Sequence, residues 1–289
     1  WASLVERHWY ALRRATLPVL APGSRSIRVL HLSDLHLVPR QERRIQWVRG
    51  LAALEPDLVV NTGDNCSDLA AVPAVLRALE PLLERPGVFV LGSNDYYGPK
   101  PKNPLKYLTV GHPKGRDLGA PELPTAELVA GLSQGWTDLD NVRTRMSVGG
   151  VELELVGVDD PHIGLDRYAD VTAPAAAGVA LTMGVVHAPY THVLDPMAAD
   201  GAGLILAGHT HGGQVDVPFY GALATNCDLD TRRAKGVSRW WPGANGIASR
   251  HAPAGAAWLN VSAGLGHSKY APVRFACRPE ASLLTLVPR

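Results

Sequence analysis

The chain has little excess charge. Over 289 residues the net charge is +1 and charged residues make up 19%, which provides no broad electrostatic surface for a nucleic acid and argues against a specific nucleic-acid partner. Cysteine is scarce: Cys66, Cys227 and Cys277 are far apart and odd in number. That excludes a disulfide framework and favours a reducing compartment, the cytoplasm. Apolar runs are short. None approaches the roughly 20 residues that span a bilayer, and no signal-peptide pattern is visible. The chain opens on Trp1 rather than Met, so an upstream segment, such as an anchor, is expected to have been removed. Internal repeats are lacking, as are a serine set at a strand-to-helix elbow and a Cys–His nucleophile arrangement. What is present is 46% hydrophobic content, enough for a buried core in one α/β domain.

Trp1, Leu4, Val5, Trp9 and Leu12 recur at helical spacing, with Glu6, Arg7, Arg13 and Arg14 opposite. The pattern predicts an amphipathic helix closed by Pro18. Residues 1–25 are therefore read as a segment outside a catalytic domain of residues 26–289. It is expected either to pack on that domain or to make peripheral membrane contact, with its aromatic and basic side chains at the headgroups. From Ile27 onward short apolar runs alternate with stretches of helical period, the signature of layered α/β structure. Strands are predicted at residues 27–32, 58–61, 88–91, 142–146, 151–158, 181–186, 204–207, 257–261, 273–277 and 283–287, and helices near 41–54, 70–83 and 125–132. Pro99, Pro101, Pro104, Pro113, Pro121 and Pro124 mark residues 98–124 as an insertion or lid, in which Lys100, Lys102, Lys106 and Lys114 are candidate phosphate contacts.

What the strands run into is chemically uniform. Residues 27–32 lead to Asp34 and His36, 58–61 to Asp64, 88–91 to Asn94, 181–186 to His187, and 204–207 to His209 and His211. Ligands of open α/β sheets collect at the carboxyl ends of strands, so these groups are expected to converge. Helix caps and turns explain any one of them. They do not explain five apolar strands each ending in a carboxylate, amide or imidazole, which is the mixed oxygen and nitrogen donor set of divalent Mn, Fe or Zn. A bridging carboxylate such as that of Asp64 can hold two cations together.

These blocks, Asp34-Leu35-His36, Gly63-Asp64, Gly92 to Asp95, His187 and Gly208-His209-Thr210-His211, resemble those of the calcineurin-like metallophosphoesterase superfamily over roughly residues 26–287. Within it, the Ser-Asp-Leu-His and Gly-His-Thr-His-Gly-Gly-Gln runs look most like membrane-associated phosphoesterases and UDP-diacylglucosamine pyrophosphatases of bacteria. The resemblance implies a four-layer α-β-β-α sandwich that hydrolyses a lipid-linked or nucleotide phosphoester, a monoester or a diester, with two divalent metal ions activating water. It implies one ion on Asp34, His36 and His211, a second on Asn94, His187 and His209, and Asp64 between them. The family block Gly-Asn-His-Asp reads Gly92-Ser93-Asn94-Asp95 here, which leaves open whether Ser93 or Asn94 is the ligand and removes the usual acid histidine. His162, in Asp159-Asp160-Pro161-His162, is the candidate replacement. A catalytically weak, metal-binding regulatory or scaffold protein is the alternative reading.

Overall fold

The computed structural model describes residues 1–99, 119–267 and 269–289. Lys100, Lys102, Lys106 and Lys114 of the expected insertion therefore lie outside the described residues.

The strands of the first sheet are β1 (Ala11–Leu20), β2 (Ile27–Leu32), β3 (Leu58–Asn61), β4 (Gly87–Phe89) and β5 (Trp136–Asp138). The chain then crosses to a second sheet through β6 (Val142–Val148), β7 (Val151–Gly157), β8 (Leu181–Val186) and β9 (Leu204–Ala207). A small hairpin follows, β10 (Asp216–Val217) with β11 (Gly221–Ala222), then β12 (Gly236–Trp240) and β13 (Ala257–Val261) of the second sheet. Finally β14 (Glu280–Pro288) returns to the first sheet. The two six-stranded sheets run β1-β14-β2-β3-β4-β5 and β12-β13-β9-β8-β7-β6. The central pairs β2–β3–β4 and β7–β8–β9 are parallel.

These central strands are apolar on both faces because both are covered. Ile27, Val29, Leu58 and Val60 meet Leu153, Leu155, Met183, Val185 and Leu206 between the sheets. The alternate side chains Leu30, Leu32 and Val59 pack outward on α1 (Glu42–Gly50), α2 (Val72–Leu83) and, past α3 (Ser93–Tyr96), on α4 (Thr125–Leu132). On the far side of the second sheet, after α5 (Tyr168–Val171), α6 (Thr191–Ala199) closes the fourth layer through Val193, Leu194 and Met197. The fold is thus the α-β-β-α sandwich expected.

His31 joins the two sheets inside this core. Its ring on β2 meets Thr62 Oγ1 at 3.0 Å and Asn260 Nδ2 of β13 at 2.9 Å.

Two expectations fail. The N-terminal helix does not form: Glu6–His8 make a single 3-10 turn, and residues 11–20 are a strand parallel to β14. The reason is burial, since Leu17, Val19 and Leu20 are enclosed between the sheets while Leu4 stays 76% exposed. Pro18 is tolerated because β1 is an edge strand with a register shift between Pro18 and Leu20, where a missing N–H costs no ladder bond. Residues 273–277 are not a strand either. Their one ladder contact is a bridge from Phe275 to Val215, because the fully buried Arg274 turns inward and donates to the carbonyls of Ala263 and Gly266 at 2.6 Å each.

Candidate metal centre

The turns after β2, β3 and β9 bend sharply enough to hold non-glycine residues in the left-handed region: Asp34 at φ 50°, His36 at 41°, Asp64 at 55°, His209 at 68° and His211 at 50°. L-residues adopt this conformation only under tertiary constraint, and such strain concentrates at functional sites. Here it aims five side chains into one space. The approach is close enough to require glycine at two points. A Cβ on Gly92 would sit 2.4 Å from Asp64 Oδ1 and 2.7 Å from the His187 ring, and one on Gly208 would collide with Ser33 Oγ.

Donor atoms of Asp34, His36, Asp64 and His211 all lie within 4.8 Å of one another. His36 Nε2 is 3.1 Å from His211 Nε2 and 3.3 Å from Asp64 Oδ2, and His211 Nε2 is 3.6 Å from Asp34 Oδ1. On the other side of Asp64, His187 Nε2 stands 3.5 Å from Oδ1. Asn94 donates its backbone N–H to Asp64 Oδ1 at 2.7 Å and its side-chain nitrogen to Oδ2 at 2.8 Å. The His187 and His209 rings meet edge to face with centroids 5.2 Å apart. Of the two candidates in the altered block, Asn94 is the one that touches Asp64.

The neighbours set which nitrogen of each ring is available. His187 Nδ1 donates to the Thr62 carbonyl at 2.6 Å, and Nε2 is buried with no hydrogen-bond partner. His36 Nδ1 is 2.9 Å from Ser67 Oγ, and His209 Nε2 donates to the Asn226 carbonyl at 3.0 Å. Asp34 takes bonds from Ser33 and from the His209 N–H on Oδ2, while Oδ1, fully buried, has none. Buried polar atoms are almost always paired. Two buried atoms without a hydrogen-bond partner, Asp34 Oδ1 and His187 Nε2, on either side of an already crowded carboxylate are what cation ligands look like, and oriented imidazoles are their usual support.

Charge agrees with this geometry. Burial pushes Asp34 up, whereas Asp64, despite its burial, is held well below the usual carboxylate range by His187 and His36. His187 is held well above the usual imidazole value, because Asp64, Asp160 and Asp34 outweigh its burial. Surroundings that retain a proton there retain a cation equally well. His209 and His211 are both pushed well down, first by burial and, for His211, also by the Arg274 guanidinium, so both are neutral and able to ligate.

His162 is brought to the same place. Its ring centroid is 4.5 Å from that of His209, its Nδ1 is 3.0 Å from Tyr190 Oη, and its N–H is taken by Asp160 Oδ1 at 2.8 Å. The turn carrying it docks on α3 through Tyr96 Oη, which is 3.0 Å from both oxygens of Asp159.

Several contributors were not singled out from the sequence. Asp95 accepts the N–H groups of Asp64, Asn65 and Gly92 and so pins the turn. Asp160 is fully buried with Oδ2 unpaired, and burial and Asp64 push it up to about 7. Arg274 stands 3.3 Å from His211 Nδ1. Ser67, Thr62 and Asn226 act only on ring orientation, for which no spacing rule exists; Asp95 and Asp160 stood inside the quoted motifs and were legible as carboxylates there.

Residues 27–213 match the calcineurin-like phosphoesterase family. The chain belongs to that family. It is accordingly a metal-dependent phosphoric ester hydrolase. Among curated relatives, phosphodiesterase YaeI of Escherichia coli is 27% identical over 98% of this chain and 90% of its own length. A bovine transmembrane protein with metallophosphoesterase domain is 27% identical over 71% of this chain, which spans only 45% of that longer protein. A 5'-nucleotidase precursor from Thermus thermophilus aligns over 90% of this chain at 15% identity with a TM-score of 0.45. Among the described residues no helix is long and apolar enough to cross a membrane.

Proposed function

We propose that the chain is a binuclear phosphodiesterase, with one divalent cation, Mn, Fe or Zn, on Asp34, His36 and His211, a second on Asn94, His187 and His209, and Asp64 shared. The observation that carries this reading is the pair of buried atoms without a hydrogen-bond partner, Asp34 Oδ1 and His187 Nε2, flanking Asp64. Ligation by Asn94 requires its amide to present oxygen in place of the nitrogen that now faces Asp64, a rotation of one terminal torsion. When bound, such cations supply Lewis acidity and an activated water, which accounts for the lack of a Ser or Cys nucleophile. The chain's own groups orient and protonate: Arg274 and Ser67 fix the ring faces of His211 and His36, and His162, supported by Tyr190, holds the proton for the leaving oxygen.

The diester preference is supported by the similarity to YaeI, named a phosphodiesterase. Lipid-linked and nucleotide esters are both candidate substrates, and the finer place among membrane-associated phosphoesterases or UDP-diacylglucosamine pyrophosphatases belongs to the same proposal. The altered Ser93-Asn94 block favours a second reading, a protein that binds metal but turns over slowly.

The experiment is metal-dependent hydrolysis of bis-p-nitrophenyl phosphate, with elemental analysis. Asp64→Ala should abolish turnover and reduce bound metal towards one ion or none, while His209→Ala and His211→Ala each remove roughly one equivalent. Two ions retained by Asp64→Ala would contradict the shared carboxylate, and a metal-loaded wild type without turnover would establish the second reading. His162→Ala should slow an alkyl ester by about 10²–10⁴-fold and a nitrophenyl ester far less; equal slowing would assign it to substrate positioning.

A further inference from the structure

The N-terminal segment hides an acid and displays its hydrophobic side chains. Glu6, only 5% exposed, accepts the Trp1 indole N–H at 2.9 Å and the Cys277 backbone N–H at 2.8 Å. The Ala2 carbonyl takes the Arg274 N–H at 3.2 Å. The Arg278 guanidinium lies 4.0 Å from the Trp9 ring and donates to the Trp9 carbonyl. Trp1 and Trp9 meet edge to face at 6.1 Å, yet Trp1 is 64% exposed and Trp9 50%, alongside Leu4. Apolar area in water costs about 25 cal/mol per Å², so a segment held this firmly with its tryptophans outward has a use for them.

A second apolar projection stands beside it. Asp216 N–H donates to the Phe275 carbonyl and Phe275 N–H to that of Gln214, so residues 274–275 lie between Ala2 on one side and the base of the β10–β11 hairpin on the other. The tip of that hairpin carries Phe219 fully exposed and Tyr220 largely so. The hairpin also continues directly from the turn that holds His209 and His211.

Basic side chains predominate around it. Arg43 lines a shallow groove with Trp1, Leu4, Val5 and Trp9. A larger cavity of about 440 Å³ is lined by His36 of the metal centre together with Arg7, Arg40, Lys269 and a single carboxylate, Asp68. Lys269 is paired with Asp68 at 2.8 Å, whereas Arg7, Arg40 and Arg43 form no ion pair among the described residues. The whole chain is nearly neutral at +1, so this is a local concentration. Tryptophan and phenylalanine tips interleaved with arginine match the headgroup zone of an anionic bilayer, apolar rings below and guanidinium groups at the phosphates.

We infer that the Trp1–Trp9 segment and the β10–β11 hairpin together form a docking surface for an anionic phospholipid bilayer, with the cavity beside His36 opening at that interface. The inference deepens the phosphodiesterase reading by placing the ester in a membrane, but docking itself requires no metal and is read separately from turnover.

The test is cosedimentation of the full chain with vesicles of phosphatidylcholine containing about a quarter phosphatidylglycerol, beside vesicles of phosphatidylcholine alone. The wild type should sediment with the first and much less with the second. Leu4→Asp and Phe219→Asp should each lower partitioning by about tenfold or more and Arg43→Glu by several-fold on anionic vesicles. All three should hydrolyse soluble bis-p-nitrophenyl phosphate at the wild-type rate, which also verifies their folding. Wild-type protein that stays in the supernatant, or Leu4→Asp and Phe219→Asp proteins that sediment undiminished, would overturn the inference. A concentration-dependent dimer abolished by the same substitutions, without vesicle binding, would give the face to a second copy instead.

Discussion

His31 shows how much one buried side chain decides. With Thr62 on one ring nitrogen and Asn260 on the other, burial holds its pKa down to about 3. The unfolded chain takes up that proton near 6.5. Between those values the unfolded state binds more protons, so stability falls as pH falls, by about 1.4 kcal/mol for each pH unit below 6.5. Urea unfolding from pH 8 to 5 should show this decline, and His31→Gln should be less stable at pH 8 yet have a shallower slope below 6.5. An unchanged slope would place the acid sensitivity in other groups. Nothing in the sequence distinguished His31 from its apolar neighbours, because its partners come from residues 62 and 260. Asp34, Asp64, His187, His209 and His211 were legible by contrast, since each ends a strand that the sequence itself delimits and the converging ends need no knowledge of contacts.

At the level of elements, periodicity succeeded where burial and local pattern agree and failed where they part. Strands 58–61, 181–186, 204–207 and 257–261 and helix 125–132 fall at the expected residues. The first twenty residues do not, because helical spacing among Trp1, Leu4, Val5 and Trp9 outweighed the alternation of Leu17 and Val19, and only a strand at the far end of the chain makes that alternation useful. The consequence is measurable. Leu17→Ala, inside the core between the sheets, should cost about 2–5 kcal/mol in urea unfolding, whereas Leu4→Ala should change stability by less than about 0.5 kcal/mol. The reverse order would mean that the N-terminal segment packs as a helix after all.

In the molecule as a whole, the oxygen donors Asp34 and Asp64 stand at the ends of β2 and β3 of the first sheet, while His187, His209 and His211 stand at the ends of β8 and β9 of the second. The bond from the His209 N–H to Asp34 joins residues 175 apart in the chain. The first sheet supplies Asp34, His36, Asp64 and Asn94 and the second His187, His209 and His211, so the donor set is complete only once the sheets have come together. We predict that a cation completes its site after the rate-limiting step of folding and acts as a latch on the finished molecule. Stabilisation gained after the transition state appears wholly in the unfolding rate. Stopped-flow refolding from urea should proceed at one rate in Mn²⁺ and in chelator, while unfolding in Mn²⁺ slows by the whole factor by which the ion raises equilibrium stability. Faster refolding with metal would mean that donors from the two sheets meet earlier, before the latch has anything to close.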